Sequence, residues 1–128
     1  MKAADFVGLL FLGRDVAHSV HLNTRSYAKH VALQEFYAGD EDKGILSIIE
    51  LADKFAESYQ GKYGLIGGIS LQPAKKTANI VDFLQEQADD IDANRYKVVD
   101  KDCTFLQNII DEILEHYHST LYKLRFLG

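Results

Sequence analysis

The sequence predicts an all-α domain, a four-helix bundle with one long crossover between its second and third helices. Three observations carry this. Apolar residues recur at intervals near 3.6 along most of the chain. The helix breakers concentrate in one place, with the single proline, Pro73, close to Gly61, Gly64, Gly67 and Gly68. The connection they form is long enough to travel the length of a bundle. At 128 residues the chain reads as one domain, residues 1–128, able to bury a sizeable core.

Phe6, Leu9, Leu10, Val16, Val20, Tyr27, Val31 and Phe36 fall on one stripe, so residues 3–37 read as one long helix despite Gly8 and Gly13. Asp40 is placed to cap the next helix, with Glu41 and Asp42 favourable in its first turn. That second helix carries Ile45, Ile48, Ile49, Ala52, Phe55, Ala56 and Tyr59 on one face and stops at Gly61. Pro73 opens a third helix over residues 74–92, with Ile80, Phe83, Leu84, Ala88 and Ile91 inward. Residues 94–101 read as a short extended segment. Asp102 or Thr104 caps a fourth helix that runs to Phe126, with Phe105, Leu106, Ile109, Ile110, Ile113, Leu114, Tyr117, Leu121 and Leu124 inward.

Connection length selects the topology. A short turn makes the first two helices antiparallel neighbours, whereas residues 61–74 stretch to about 45 Å at ~3.3 Å per residue. A helix of about 20 residues is only ~30 Å long. The second connection can therefore cross the whole bundle and leave helices two and three parallel, with an up-and-down bundle as the alternative.

A formal charge of −5 with no basic tail argues against nucleic acid as a partner, since such binding rests on clustered Lys and Arg. The single cysteine, Cys103, excludes an internal disulfide and suits a reducing compartment. The apolar run AADFVGLLFL is about ten residues and holds Asp5, whereas a membrane span needs ~20. The expectation is a cytoplasmic protein with no membrane partner.

Several groupings bear on chemistry. Asp53 and Glu57 are four apart, on one helix face, and can converge on a cation or a basic partner. His18 and His21 have spacing adequate for Zn²⁺ or Fe²⁺ if carboxylates approach. Glu115 and His118 form a Glu-x-x-His, but Glu115 lies ~200° around the helix from Ile113, outside the core face. Glu112 and His116 flank that face and make the better pair, although helix two offers no matching motif for a di-iron centre. Tyr59, Lys62, Tyr63, Gly67 and Gly68 combine aromatic rings, a cation and freed backbone amides, a set suited to a small anion or nucleotide; the alternative is a plain crossover loop. No phosphate loop, nucleophile elbow or Cys-x-x-Cys occurs.

His21-Leu22-Asn23 followed by Ala32-Leu33-Gln34-Glu35-Phe36 resembles the first helix of the Dps mini-ferritins, and Asp53-Lys54-Phe55-Ala56-Glu57 resembles their Asp-x-x-Ala-Glu motif. Asp102 to Leu127 is similar to their last helix. The phrases HLNTRSYAKHVALQEFY, FAESYQGKYGLI and LQNIIDEI resemble a family of small ferritin-like proteins encoded by tailed bacteriophages. The resemblance implies a ferritin-like bundle, self-assembly, and Fe²⁺ held between subunits by His21, Asp53 and Glu57. Gln34 stands where those mini-ferritins carry a second histidine, a weaker ligand for iron, with His30 one turn earlier as a substitute. Their tryptophan is replaced by Leu22, and no lysine-rich tail is present. The expected protein is a non-catalytic phage-type binder without a resident cofactor. It forms a homo-oligomer and takes a small anionic ligand or a host protein. The alternative is a Dps-like ferroxidase using Fe, or a Zn site at the same residues.

Overall fold

The structure, a computed structural model, describes residues 1–127. Among them the fold is all-helical, in five helices rather than four: α1 (Ala3–Leu22), α2 (Tyr27–Ala38), α3 (Ile48–Tyr63), α4 (Ile80–Val98) and α5 (Thr104–Phe126). The described residues hold no strand, only one isolated bridge between Asp40 and Ile45.

The fifth helix arises because the predicted 3–37 helix breaks. The Thr24 hydroxyl donates to the Val20 carbonyl at 2.8 Å and the Asn23 amide to the Ser19 carbonyl at 3.1 Å, so short polar side chains take up carbonyls that the next turn would have used. Ser26 then caps α2 by accepting from the Lys29 N–H. The chain reverses there. His21 meets His30 and Arg14 lies over Tyr37, a pairing that makes α1 and α2 antiparallel. The reversal shifts the helical phase, burying Ala32, Leu33, Glu35 and Phe36 and leaving Tyr27 82% exposed.

Asp40 does not cap a helix. It pairs with Ile45 around an acidic turn, and α3 begins at Ser47, whose hydroxyl and the Glu50 carboxylate form a reciprocal cap. The helix passes Gly61 and stops at Gly64, whose φ of 99° few other residues adopt.

The crossover is longer than predicted, residues 64–79, because Pro73 starts no helix. Residues 70–77 lie instead along α1: the Ser70 N–H donates to the Ala4 carbonyl, and a Cβ on Gly8 would collide with the Ser70 carbonyl. Gln72 shares a groove with Leu12, and Lys75 to Thr77 share one with Val16, Val20 and Thr24. The chain thus climbs from the start of α1 towards its end before Asn79 caps α4. Both α3 and α4 run antiparallel to α5, as Lys54 meets Glu112 while the later Lys62 meets the earlier Cys103, and Gln87 meets Tyr117 while Arg95 meets Gln107, so α3 and α4 are parallel.

Residues 94–98, predicted extended, complete α4. Arg95 donates to the Gln107 side chain and carbonyl and pairs with Asp111 at 2.7 Å. The buried Gln107 amide donates in return to the carbonyls of Arg95, Val99 and Asp100, so α5 caps the end of α4. The core gathers from all five helices around Phe6, Leu10, Phe36, Phe55, Leu84, Ile91, Ile110, Ile113 and Tyr117. Gly13 lets α1 approach a buried hydrogen bond of 2.7 Å from Tyr117 to Gln87, since a Cβ there would lie 2.8 Å from the tyrosine oxygen.

Candidate functional site

His21, Asp53 and Glu57 are not brought together within one chain. His21 is buried in the α1–α2 seam, where its Nδ1 donates to the His30 carbonyl and His30 returns the same bond to the His21 carbonyl, both 3.2 Å. Its ring lies 3.8 Å from that of His30 and edge-on to Tyr37, which stacks on His18. Asp53 and Glu57 are exposed on α3, whose Phe55 meets Phe6 near the other end of α1. Fifteen residues of α1 separate Phe6 from His21, about 22 Å of helix rise. Among the described residues no three His, Cys, Asp or Glu side chains converge as a metal site. The residues of one chain therefore do not fit the iron centre that the resemblance implies.

The glycine-rich set is divided. The Lys62 ammonium donates to the Cys103 thiol at 3.3 Å and lies over the rings of Tyr63 and Phe105, and the thiol raises the lysine above its ordinary value. Tyr59 and Tyr63, 4.8 Å apart, line a shallow groove with Met1 to Ala4 and Lys97. Gly67 and Gly68 are exposed in the crossover and do not line it.

A more developed arrangement lies between α2, α5 and the turn that precedes α3. Glu35 occupies the inner face of α2 beside Ala32 and Phe36 and is 7% exposed. One of its oxygens, Oε2, is buried without a hydrogen-bond partner. The nearest cations are Lys43, 3.7 Å from Oε1, and Lys123, 3.7 Å from Oε2, close enough to balance the charge and too far to donate a good hydrogen bond. A buried carboxylate left in this state is costly, and such groups call for an explanation.

Around Glu35 runs a groove of about 260 Å³ walled by Ile45, Leu46, Leu51, Glu112, Glu115, His116, Ser119, Thr120 and Lys123. His116 stacks on Phe36 and donates from Nε2 to the Phe36 carbonyl at 2.9 Å. Burial holds its imidazole below the usual histidine range, so the neutral ring presents Nδ1 as an acceptor. Glu112 reaches Lys54 of α3 at 3.0 Å. The pair Glu112 and His116, singled out from the helical wheel, thus belongs to this groove. Glu35 and Lys123 were not singled out. The available signal was a carboxylate at a position that shares the apolar stripe of Ala32 and Phe36.

These features define, among the described residues, a small all-helical protein with a polar groove built on a buried carboxylate. The chain belongs to a family of unknown function, DUF5856, whose model matches residues 21–124 and so takes in every residue of the groove. It is also similar to an uncharacterised 14.6 kDa protein from the mobD-ri intergenic region of Enterobacteria phage T4, with 29% identity over 127 residues that cover 96% of this chain and 88% of that one. No solved structure matches.

Proposed function

We propose that this chain is a phage-type binding protein, a ferritin-like bundle that assembles with itself and holds its guest, a small molecule or a segment of a host protein, in the groove at Glu35. The bundle reading is supported by α2 and α3, which follow one another against the same neighbours, α1 and α5, so that five helices occupy four columns. The phage reading is supported by the T4 relative. The observation that carries the binding reading is the unpartnered Glu35 oxygen. A carboxylate kept for a guest is a stability cost to the empty protein, because its two lysine neighbours, 58% and 30% exposed, reach water without it. Glu35→Gln should leave stability unchanged or raise it by about 1–2 kcal/mol in urea unfolding. A marked loss would show Glu35 to be a structural ion-pair partner and would sink the reading.

The second reading is a mini-ferritin with Fe²⁺ between subunits. It is favoured by Asp53 and Glu57, which are exposed and have no ion pair among the described residues. An anaerobic Fe²⁺ titration tests it. A thermal shift of several degrees, near the ~2.7 kcal/mol expected at 100 times the dissociation constant, that vanishes with Asp53→Ala and Glu57→Ala would establish it.

A further inference from the structure

The chemistry of the groove wall restricts what can occupy it. Three carboxylates, Glu35, Glu112 and Glu115, face a single lysine, Lys123. Glu112 is answered by Lys54 at 3.0 Å, and Glu35 by Lys43, 3.7 Å from its Oε1 and not itself part of the groove lining. The Nε2 proton of His116 is spent on the Phe36 carbonyl, which leaves the ring an acceptor. The wall's donors are the Ser119 and Thr120 hydroxyls and the Lys123 ammonium, and none of them makes a hydrogen bond to the buried Oε2 of Glu35. An anion entering here would meet Glu115, which has no ion pair among the described residues, beside two carboxylates that lysines already answer, and an apolar guest would leave Oε2 unsatisfied. Metal coordination has too few converging ligands among the described residues.

An alkylammonium group answers each demand. It carries three donors on one charged nitrogen, enough for Oε2 of Glu35, Nδ1 of His116 and the Thr120 hydroxyl, and its aliphatic stem suits Ile45, Leu46 and Leu51. We propose that the groove between α2 and α5 is a receptor site for a primary ammonium group, which displaces Lys123 from the Glu35 carboxylate. Two sources share that chemistry, a free aliphatic diamine and a lysine side chain of a partner protein. The proposal rests on the reading of the Glu35 groove as the binding site.

Isothermal titration calorimetry on the full chain tests it, with butane-1,4-diamine, Nα-acetyl-lysine amide and glutarate as probes. At least one amine should bind, the first probe identifying a free amine as the source and the second a lysine side chain. Glu35→Gln should weaken that binding by about tenfold or more. Lys123→Met removes the competing ammonium and should tighten it several-fold, a sign that neither an anion site nor a merely structural effect would produce. Circular dichroism on both variants confirms that they fold. Amine binding unchanged by Glu35→Gln would overturn the proposal. Glutarate binding that is lost in Lys123→Met would overturn it as well, while leaving the groove as the ligand site. No binding of any probe at about 10 mM, a free energy weaker than ~3 kcal/mol, would overturn both the proposal and the reading beneath it.

Discussion

Burial beside Phe36 and the nearby Lys123 charge both oppose protonation of His116, against a smaller opposite pull from Glu35 and the carbonyl it bonds, so its ionisation falls below the ordinary value of 6.5. The unfolded chain takes up this proton near pH 6.5, and the folded chain only at lower pH. Between the two the unfolded state binds more protons, so stability rises with pH. The contribution is complete above about pH 6.5 and is lost as the pH falls through the folded value. Urea midpoints measured from about pH 7 down to pH 5 should therefore drop more steeply in wild type than in His116→Asn. Parallel profiles would show that the ring is protonated in the fold as readily as in water. Glu35, on the opposite wall, was not singled out in the sequence. Even within one continuous 3–37 helix it falls four residues after Val31, on the inward face, but a carboxylate there carries no mark of whether a lysine answers it, and its neighbours Lys43 and Lys123 come from outside that helix.

Between elements, the strongest polar joint is the clasp of Gln107 on the end of α4. Its amide donates to the Val99 carbonyl and adds a second bond to the carbonyls of Arg95 and Asp100, and its own oxygen accepts from Arg95. Gln107→Ala should cost about 1–3 kcal/mol and lower the melting temperature by several degrees, with amide protection lost first in residues 94–98. An unchanged melting curve would refute the clasp. The same contact explains one misreading. Tyr96 and Val98 favour extended structure by themselves, and tertiary bonds from Arg95 override that preference, while Val99 stays extended just past the helix. Helix α5 was legible throughout because the stripe from Leu106 to Leu124 is uninterrupted, although Phe105 proves 48% exposed. The parallel run of α3 and α4 was legible from the length of the crossover alone. The start of α4 was not, since Pro73 usually signals a first helical turn and here seats an extended segment on α1. Of the site residues, spacing singled out Glu112 and His116, which line the same groove but bond Lys54 and the Phe36 carbonyl rather than each other. It could not show that His21 and Asp53 lie at different heights of the bundle, because spacing along a helix carries no information about which helices stack end to end.

At the scale of the whole molecule, exposed apolar side chains form a group at each end, with Tyr63, Leu65, Tyr96 and Phe105 where α5 starts and a second group where it finishes. Leu22 and Tyr27 flank the α1–α2 turn at 71% and 82% exposure, and Tyr122 and Phe126 project from the end of α5, which runs antiparallel to α2. Patches of this kind mark interfaces. We expect a dimer or larger assembly joined where α5 finishes, through Tyr27 rather than Tyr37 or Tyr59, because Tyr37 stacks on His18 and Tyr59 packs against Phe55. Light scattering that returns the 14.4 kDa monomer mass at tens of micromolar would count against it. No helix among the described residues is long and apolar enough to cross a membrane. The two hairpins also have a consequence in time. His21 finds His30 nine residues away and Arg95 finds Gln107 twelve away, so α1–α2 and α4–α5 can close early and locally. Their mutual contacts span far more chain, 78 residues from Leu9 to Gln87 and 80 from Phe36 to His116. Folding is then expected to pause between closure and docking, when each hairpin still shows water the side that will become the core. During that pause a newly made chain is most apt to pair with the wrong copy of itself, and the segment laid along α1 decides how soon it ends.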